Sequence, residues 1–251
     1  MSKFISKQSV AIWYALTALL ATFLVGQVIL WCFPDGRSMG ASLLFILMNL
    51  IPMIVAAVFS LVLSEVNSLG EFFKKVFLQK ESPLSWILAF FIPVIYYGIS
   101  ILLMNVRFTG NSLLAFFLYF PWTLLYGGLE EVGWRWFLQD HLSFSKHFIP
   151  KMMLLSIVWF LWHIPIYQLP WITAGSSNYL IFYLMILGNT FLFGALKEYS
   201  KGAVPCILAH MLIDSLAVLM LVQSSLPQII LLVIFEILVA SWLVAIRKSL
   251  K

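Results

Sequence analysis

Charge is scarce in this sequence. Only 10% of the 251 residues are Asp, Glu, Lys or Arg, whereas 63% are hydrophobic. Soluble domains are about half apolar and about a quarter charged, so a soluble core could not hide this much apolar surface. A helix crosses a bilayer core with roughly 20 apolar residues. The composition therefore excludes a soluble protein and predicts an all-α, polytopic membrane helix bundle.

Cysteine is also rare, because the chain contains only Cys32 and Cys206. Both lie in apolar runs, and two cysteines are too few for a disulfide framework. The first apolar stretch, 10–33, is too long for the core of a signal peptide and ends without a small-x-small cleavage pattern. We therefore predict that it is a retained first transmembrane helix.

Long apolar runs, bounded by charges or by Gly, Pro and Ser clusters, predict about eight transmembrane helices in a single domain, 1–251. The segment 65–82 mixes phenylalanines with lysines, which is typical either of a helix lying in the membrane interface or of a solvated connector. The core that carries the motifs covers about 112–223. The predicted transmembrane helices are 9–33, 42–63, 84–104, 112–140, 152–169, 178–197, 202–223 and 226–246.

The basic residues predict the orientation of these helices. If the N-terminus is cytoplasmic, every Lys and Arg except Arg37 and Arg107 falls on the cytoplasmic side. Positive charge marks cytoplasmic loops, so we expect both termini in the cytoplasm and the protein in the cell membrane of a bacterium. The net charge of +5 then needs no nucleic-acid partner, and the bilayer itself is the partner that it predicts.

Ionisable residues inside the predicted helices form three clusters, at 130–135, 159–163 and 210–214. Such residues are costly in a membrane and usually mark a functional site. Isolated polar side chains elsewhere are better explained by hydrogen bonds between helices. This second group consists of Asn49, Asn105, Asn189 and Glu236.

Helical spacing indicates which of these side chains share a face. Glu131 and Arg135 are four residues apart in the order that favours an ion pair, and His210 and Asp214 are also four apart. Glu130 is rotated by about 100° from Glu131. One glutamate can thus pair with Arg135, whether as a purely structural clamp or as part of a site, while the other faces a cavity.

The depth of the clusters in the membrane is also similar. A rise of about 1.5 Å per residue places Glu130, His163 and His210 roughly 14 to 18 Å from the cytoplasmic ends of their helices. This estimate requires the helix 112–140 to continue past Arg135. The three clusters are therefore expected in one layer.

In order and spacing, these clusters resemble the CPBP family of CAAX prenyl proteases and bacteriocin-processing or immunity proteins. The family pattern is Glu-Glu-x-x-x-Arg, then Phe-x-x-x-His, then His-x-x-x-Asn/Asp. Trp159 stands where the family usually has Phe, and we expect this change to matter little because a bulky aromatic ring is kept. Asp214 stands where many members have Asn, which favours a metal ligand or an orienter of histidine over a neutral oxyanion donor.

The resemblance implies an intramembrane endopeptidase that acts on a membrane-associated peptide or protein. It implies that Glu130 is the general base, with His163 positioning the water. His210, oriented by Asp214, would stabilise the oxyanion. Arg135 would hold Glu131. The candidate catalytic residues are thus Glu130, Glu131, Arg135, His163, His210 and Asp214.

A metal-assisted version uses the same side chains. Glu130, His163, His210 and Asp214 could hold a divalent metal such as zinc, with water completing the shell. The sequence lacks the His-Glu-x-x-His helix of zincins, and the resemblance does not decide whether a metal is used. A glutamate-activated water is slightly favoured.

Two other classes of function stay open at this stage. The protein could be a non-catalytic membrane immunity or scaffolding protein that binds a peptide partner, although such a protein gains nothing from burying four ionisable groups. It could also be a transporter with a proton relay, but no inverted repeat or pair of broken helices is visible.

Overall fold

The computed structural model of the chain is a bundle of long helices. Arg37 and Asn105, to which the sequence analysis assigned places, lie outside the described residues. The structure describes residues 6–36, 38–103, 106–143, 147–169, 171–172, 178–222 and 225–249.

Six helices in the described residues are long and apolar enough to cross a membrane. Each was predicted as a span, and each begins and ends within a few residues of the predicted bounds. They are α1 (Lys7–Cys32), α2 (Met39–Val62), α4 (Pro83–Leu102), α7 (Phe148–Tyr167), α8 (Tyr179–Tyr199) and α10 (Leu226–Ser249).

The shorter elements lie between these helices. Segment 65–82 contains the helix α3, and its place in the membrane interface stays a prediction. Two three-residue strands pair in an antiparallel manner, with Arg107 opposite Leu221. The shorter elements are α3 (Leu69–Phe77), β1 (Val106–Phe108), α5 (Leu113–Thr123), α6 (Gln139–His141), α9 (Val204–Leu216) and β2 (Met220–Val222).

The predicted helix 112–140 is bent rather than continuous. After α5 the chain forms a π-helical segment, Leu124–Gly128, and a second one, Val132–Leu138, follows after a break. The two halves meet at 45°, and they give a seventh candidate span if they cross the membrane as one. π-helical turns are rare and frequently occur at functional sites.

The all-α polytopic bundle is confirmed, but the described residues contain six or seven candidate spans instead of about eight. The predicted span 202–223 is shorter, because α9 has 13 residues and a length of about 20 Å. It ends where the carbonyl of Val218 accepts hydrogen bonds from Thr109 Oγ1 and Asn111 Nδ2. These bonds replace the next helical turn. The cytoplasmic position of the termini stays a prediction.

Helix α9 reaches the centre of the bundle, where it packs against α4, α5, α8 and the first π-helical segment. Gly127 and Gly128 allow this approach. A Cβ atom on Gly127 would overlap Asp214 Oδ2, and one on Gly128 would lie 2.8 Å from Met211 Cγ. The glycine pair therefore brings α9 against the bend of the broken helix.

Candidate active site

Glu130 and Glu131 lie at the break between the two π-helical segments, and both are buried. Glu130 Oε2 accepts two hydrogen bonds, from Trp134 Nε1 at 2.9 Å and from Trp159 Nε1 at 2.8 Å. Trp134 is in the same broken helix and Trp159 is in α7. Two helices thus hold one oxygen of this carboxylate, which leaves Oε1 as its other acceptor.

Glu131 is bonded to two different partners. Its Oε2 accepts from Arg135 Nε at 2.8 Å, and its Oε1 lies 2.8 Å from His210 Nδ1. The side chain of Arg135 is fully buried, and its guanidinium carbon lies 4.8 Å from the centre of the Trp159 ring. The ion pair expected from the sequence is therefore present, and Glu131 also links it to α9.

His210 is held by its Nδ1 atom, which donates to Glu131 because a carboxylate oxygen accepts. Its Nε2 atom consequently faces the other way, 3.5 Å from Asp214 Oδ2 and 4.0 Å from Glu130 Oε1. Glu131 makes the shorter contact with His210, and the role of Asp214 in orienting His210 stays a prediction. Asp214 is also the more open acid, with 35% of its side chain exposed.

His163 is oriented by its own helix. Its Nδ1 atom lies 2.8 Å from the carbonyl oxygen of Trp159, one turn earlier in α7. A carbonyl can only accept, so Nδ1 donates and Nε2 is the ring atom with a free lone pair in the neutral tautomer. The ring stacks on Tyr167 with a centroid distance of 5.9 Å.

Two cavities meet at these groups. One has a volume of about 350 Å³ and is lined by Glu130, His163, His210 and Asp214, among others. The second, of about 280 Å³, is lined by the same two histidines and Asp214, but not by Glu130. Neither is lined by Glu131 or Arg135. Four of the six predicted residues thus line the cavities. The other two, Glu131 and Arg135, lie outside the cavities and contact the lining residues directly or through each other.

A larger cavity, of about 870 Å³, is lined by apolar side chains of α2, α3, α4, α5, α9 and the broken helix. It includes none of the six predicted residues. It therefore has no polar group that could carry out hydrolysis, and the two smaller cavities form the candidate active site.

Comparison with known protein families agrees with placing the candidate active site in this part of the chain. Residues 111–216 match the family described as "Type II CAAX prenyl endopeptidase Rce1-like". This match is consistent with the CAAX protease family that the sequence motifs resemble. A search of curated proteins gave no match. All six predicted residues lie in the Rce1-like region, which supports a CAAX-type intramembrane endopeptidase in general and a peptide or protein substrate.

The zinc-binding arrangement is not supported by the structure. No group of three or more His, Cys, Asp or Glu side chains in the described residues has an arrangement that could hold a metal ion. Trp134 and Trp159 occupy Glu130 Oε2, and Glu131 occupies His210 Nδ1.

The indoles of Trp134 and Trp159 are site groups that the sequence analysis did not identify. Trp159 was expected to matter little as a replacement for Phe, yet its N–H is a donor to Glu130 that Phe lacks. A signal for Trp134 was available, because a tryptophan four residues after a buried acid shares its face. Trp159 is 29 residues away from Glu130, so only the packing of α7 reveals its role.

Helices outside the Rce1-like region complete the surroundings of the site. Tyr14 of α1 donates to the carbonyl oxygen of Pro52 in α2 at 2.9 Å, and the Tyr14 ring packs edge-on against Trp134. Thr22 of α1 accepts from Trp162 Nε1 at 2.9 Å. The N-terminal helices therefore fix the tryptophans that surround the glutamates.

Proposed function

We propose that this protein hydrolyses a peptide bond in a membrane-associated peptide or protein, using a water molecule activated by Glu130. One observation carries the proposal. Glu130 Oε1 and His210 Nε2 face each other across 4.0 Å at the edge of a cavity. This distance is too long for a direct hydrogen bond and suits groups that act on one small molecule between them.

Glu130 would act as the general base. As the water oxygen bonds to the substrate carbonyl carbon, one proton of the water passes to Glu130 Oε1. The carbon–nitrogen bond then breaks, and the same proton passes to the leaving amine. Such general catalysis contributes roughly 10²- to 10⁴-fold to a rate.

His210 would stabilise the oxyanion that forms on the substrate carbonyl. Glu130, Glu131 and Asp214 all lie within 4.0 Å of its ring nitrogens, and three carboxylates favour a cationic imidazole ring as their partner. In that form Nδ1 donates to Glu131 and Nε2 is free to donate to the oxyanion. A preorganised donor of this kind costs no reorganisation during the reaction.

The remaining predicted residues would support these two. His163, whose Nδ1 bonds to a backbone carbonyl, presents Nε2 as an acceptor that can position the water. Glu131 and Arg135 would hold His210 from behind. Asp214 would help to orient His210 through its Nε2 atom and would contact the substrate. The proposed steps use only side chains and water, and the cell membrane of a bacterium stays our prediction for the location.

The test is cleavage of a quenched library of membrane peptides by the purified protein, with and without a chelator. We expect cleavage by the parent, none by Glu130→Gln or His210→Ala, and no effect of the chelator. Equal cleavage by parent and variants would contradict the proposal. If the parent binds a peptide without cleaving it, and Glu130→Gln binds equally well, the immunity or scaffolding function is the better account.

A further inference from the structure

The two hydrogen bonds on Glu130 Oε2 have a consequence for the proposed reaction. We propose that the indole N–H groups of Trp134 and Trp159 are positioning groups that select Oε1 of Glu130 as the oxygen that accepts the proton from water. This inference rests on the proposed function. It concerns which atom of Glu130 reacts and not whether Glu130 reacts.

The geometry of the carboxylate supports this selection. A carboxylate has two equivalent oxygens, and rotation about its last bond exchanges them. Here Oε2 receives one N–H from each of two helices, at 2.9 and 2.8 Å. A half-turn puts the equivalent oxygen in the same place, but a carboxylate turned only part of the way would lose both bonds in a buried place, where an unpaired donor is costly. Oε1 is therefore held towards His210 Nε2.

Trp159 is also joined to other groups of the site. Its ring face lies 4.8 Å from the guanidinium carbon of Arg135, and its carbonyl oxygen bonds to His163 Nδ1. The first contact needs only an aromatic ring and the second only the backbone. The N–H bond to Glu130 is the one contact of the three that a Phe at this position, as in the usual family pattern, could not make.

A structural role is the competing explanation, because Trp134 and Trp159 are both buried in the core. Packing and hydrogen bonding can be separated by an analogue of the same shape. 3-Benzothienylalanine replaces the indole N–H by sulfur and keeps the two fused rings. Introduced at 134 or 159 of the full chain, it removes one hydrogen bond to Glu130 and leaves the packing in place.

The first readout is kinetic. We expect each analogue to lower kcat by about tenfold, the loss that corresponds to one hydrogen bond to a charged group, with KM unchanged. The control is the same analogue at Trp136, whose ring packs against Phe72 of α3 at 5.4 Å, and it should keep kcat within about twofold. Unchanged kcat at 134 and 159, or an equal loss at 136, would overturn the inference.

The second readout does not require turnover. The infrared carboxylate stretch of Glu130 can be identified as the band that disappears in Glu130→Gln. Loss of either indole donor should shift this band, whereas the analogue at Trp136 should leave it in place. An unmoved band in both site analogues would overturn the inference.

The two proposals fail in different ways. If Glu130→Gln cleaves as fast as the parent, the proposed function itself is wrong. If Glu130→Gln is inactive but both analogues keep the kcat of the parent, Glu130 is the base and only the selection of its oxygen by the tryptophans is wrong.

Discussion

Replacement of Arg135 by methionine tests what holds the buried carboxylate of Glu131 in place. The guanidinium group is fully buried, its Nε donates to Glu131 at 2.8 Å, and it lies over the rings of Trp159 and Phe193. Its Nη1 and Nη2 atoms have no hydrogen-bond partner among the described residues. The carboxylate of Glu131 is therefore the counter-charge that compensates for the burial of Arg135.

The expected loss is large because Arg135→Met leaves Glu131 Oε2 without its guanidinium partner. Removal of one partner from a buried ion pair costs about 3–5 kcal/mol. The double variant Arg135→Met/Glu131→Gln removes both charges. Its loss of stability should be smaller than the sum of the losses in the two single variants, by a coupling energy of roughly 1–3 kcal/mol. The measurement is the free energy of unfolding in mixed micelles, titrated with a denaturing detergent.

Arg247 provides a matched control in α10. Its Nε donates to the carbonyl oxygen of Glu198 at 3.2 Å, and its guanidinium lies 5.4 Å from the centre of the Tyr199 ring. It has an aromatic partner and a hydrogen bond, but that bond is to a neutral acceptor. Arg247→Met should cost only about 1 kcal/mol. A loss for Arg135→Met no greater than for Arg247→Met, or additive losses in the double variant, would refute the reasoning.

Three further predictions concern the glycines and the reaction. Gly127→Ala should lower kcat by about tenfold or more, because the new Cβ would overlap Asp214 Oδ2. The control is Gly98→Ala, whose new Cβ would have no atom within 4 Å. Equal kcat values for the two variants would contradict the prediction. Gly188→Ala should destabilise the protein by about 1–3 kcal/mol, because its Cβ would overlap Glu236 Oε2. Detergent unfolding checks this loss, and no change in stability would refute it. Treatment with a chelator should leave the rate of peptide cleavage unchanged, and a loss that zinc reverses would favour the metal-assisted mechanism.

The long helices could be predicted from the sequence because an apolar run is a local property. α1, for example, occupies Lys7–Cys32 where 9–33 was predicted. The broken helix could not be predicted in this way. Its bend accompanies the approach of α9 to Gly127 and Gly128, and this contact joins residues about 80 positions apart in the chain. The carbonyl oxygen of Val218, just after the early end of α9, likewise accepts from Thr109, which is far away in the sequence.

The contacts of the candidate site also divide into those that follow from local spacing and those that depend on the packing of distant residues. The pair Glu131–Arg135 spans one helical turn and follows from spacing alone. The bond between Glu131 and His210 joins residues 79 apart, and no pattern in a single sequence indicates which acid reaches which histidine. Spacing places His210 and Asp214 on one face, and the family resemblance implies that Asp214 orients His210. The shorter bond from Glu131 depends on the packing of two helices.

The most direct test of the central claim is the rate of peptide cleavage by Glu130→Gln in a single turnover on a substrate that the parent cleaves. Glu236→Gln is the matched control, since Glu236 is also a buried acid but lies in α10, outside the two cavities. We predict that Glu130→Gln cleaves about a thousandfold more slowly than the parent and that Glu236→Gln cleaves at the rate of the parent. A rate for Glu130→Gln within tenfold of the parent would contradict the assignment of Glu130 as the general base.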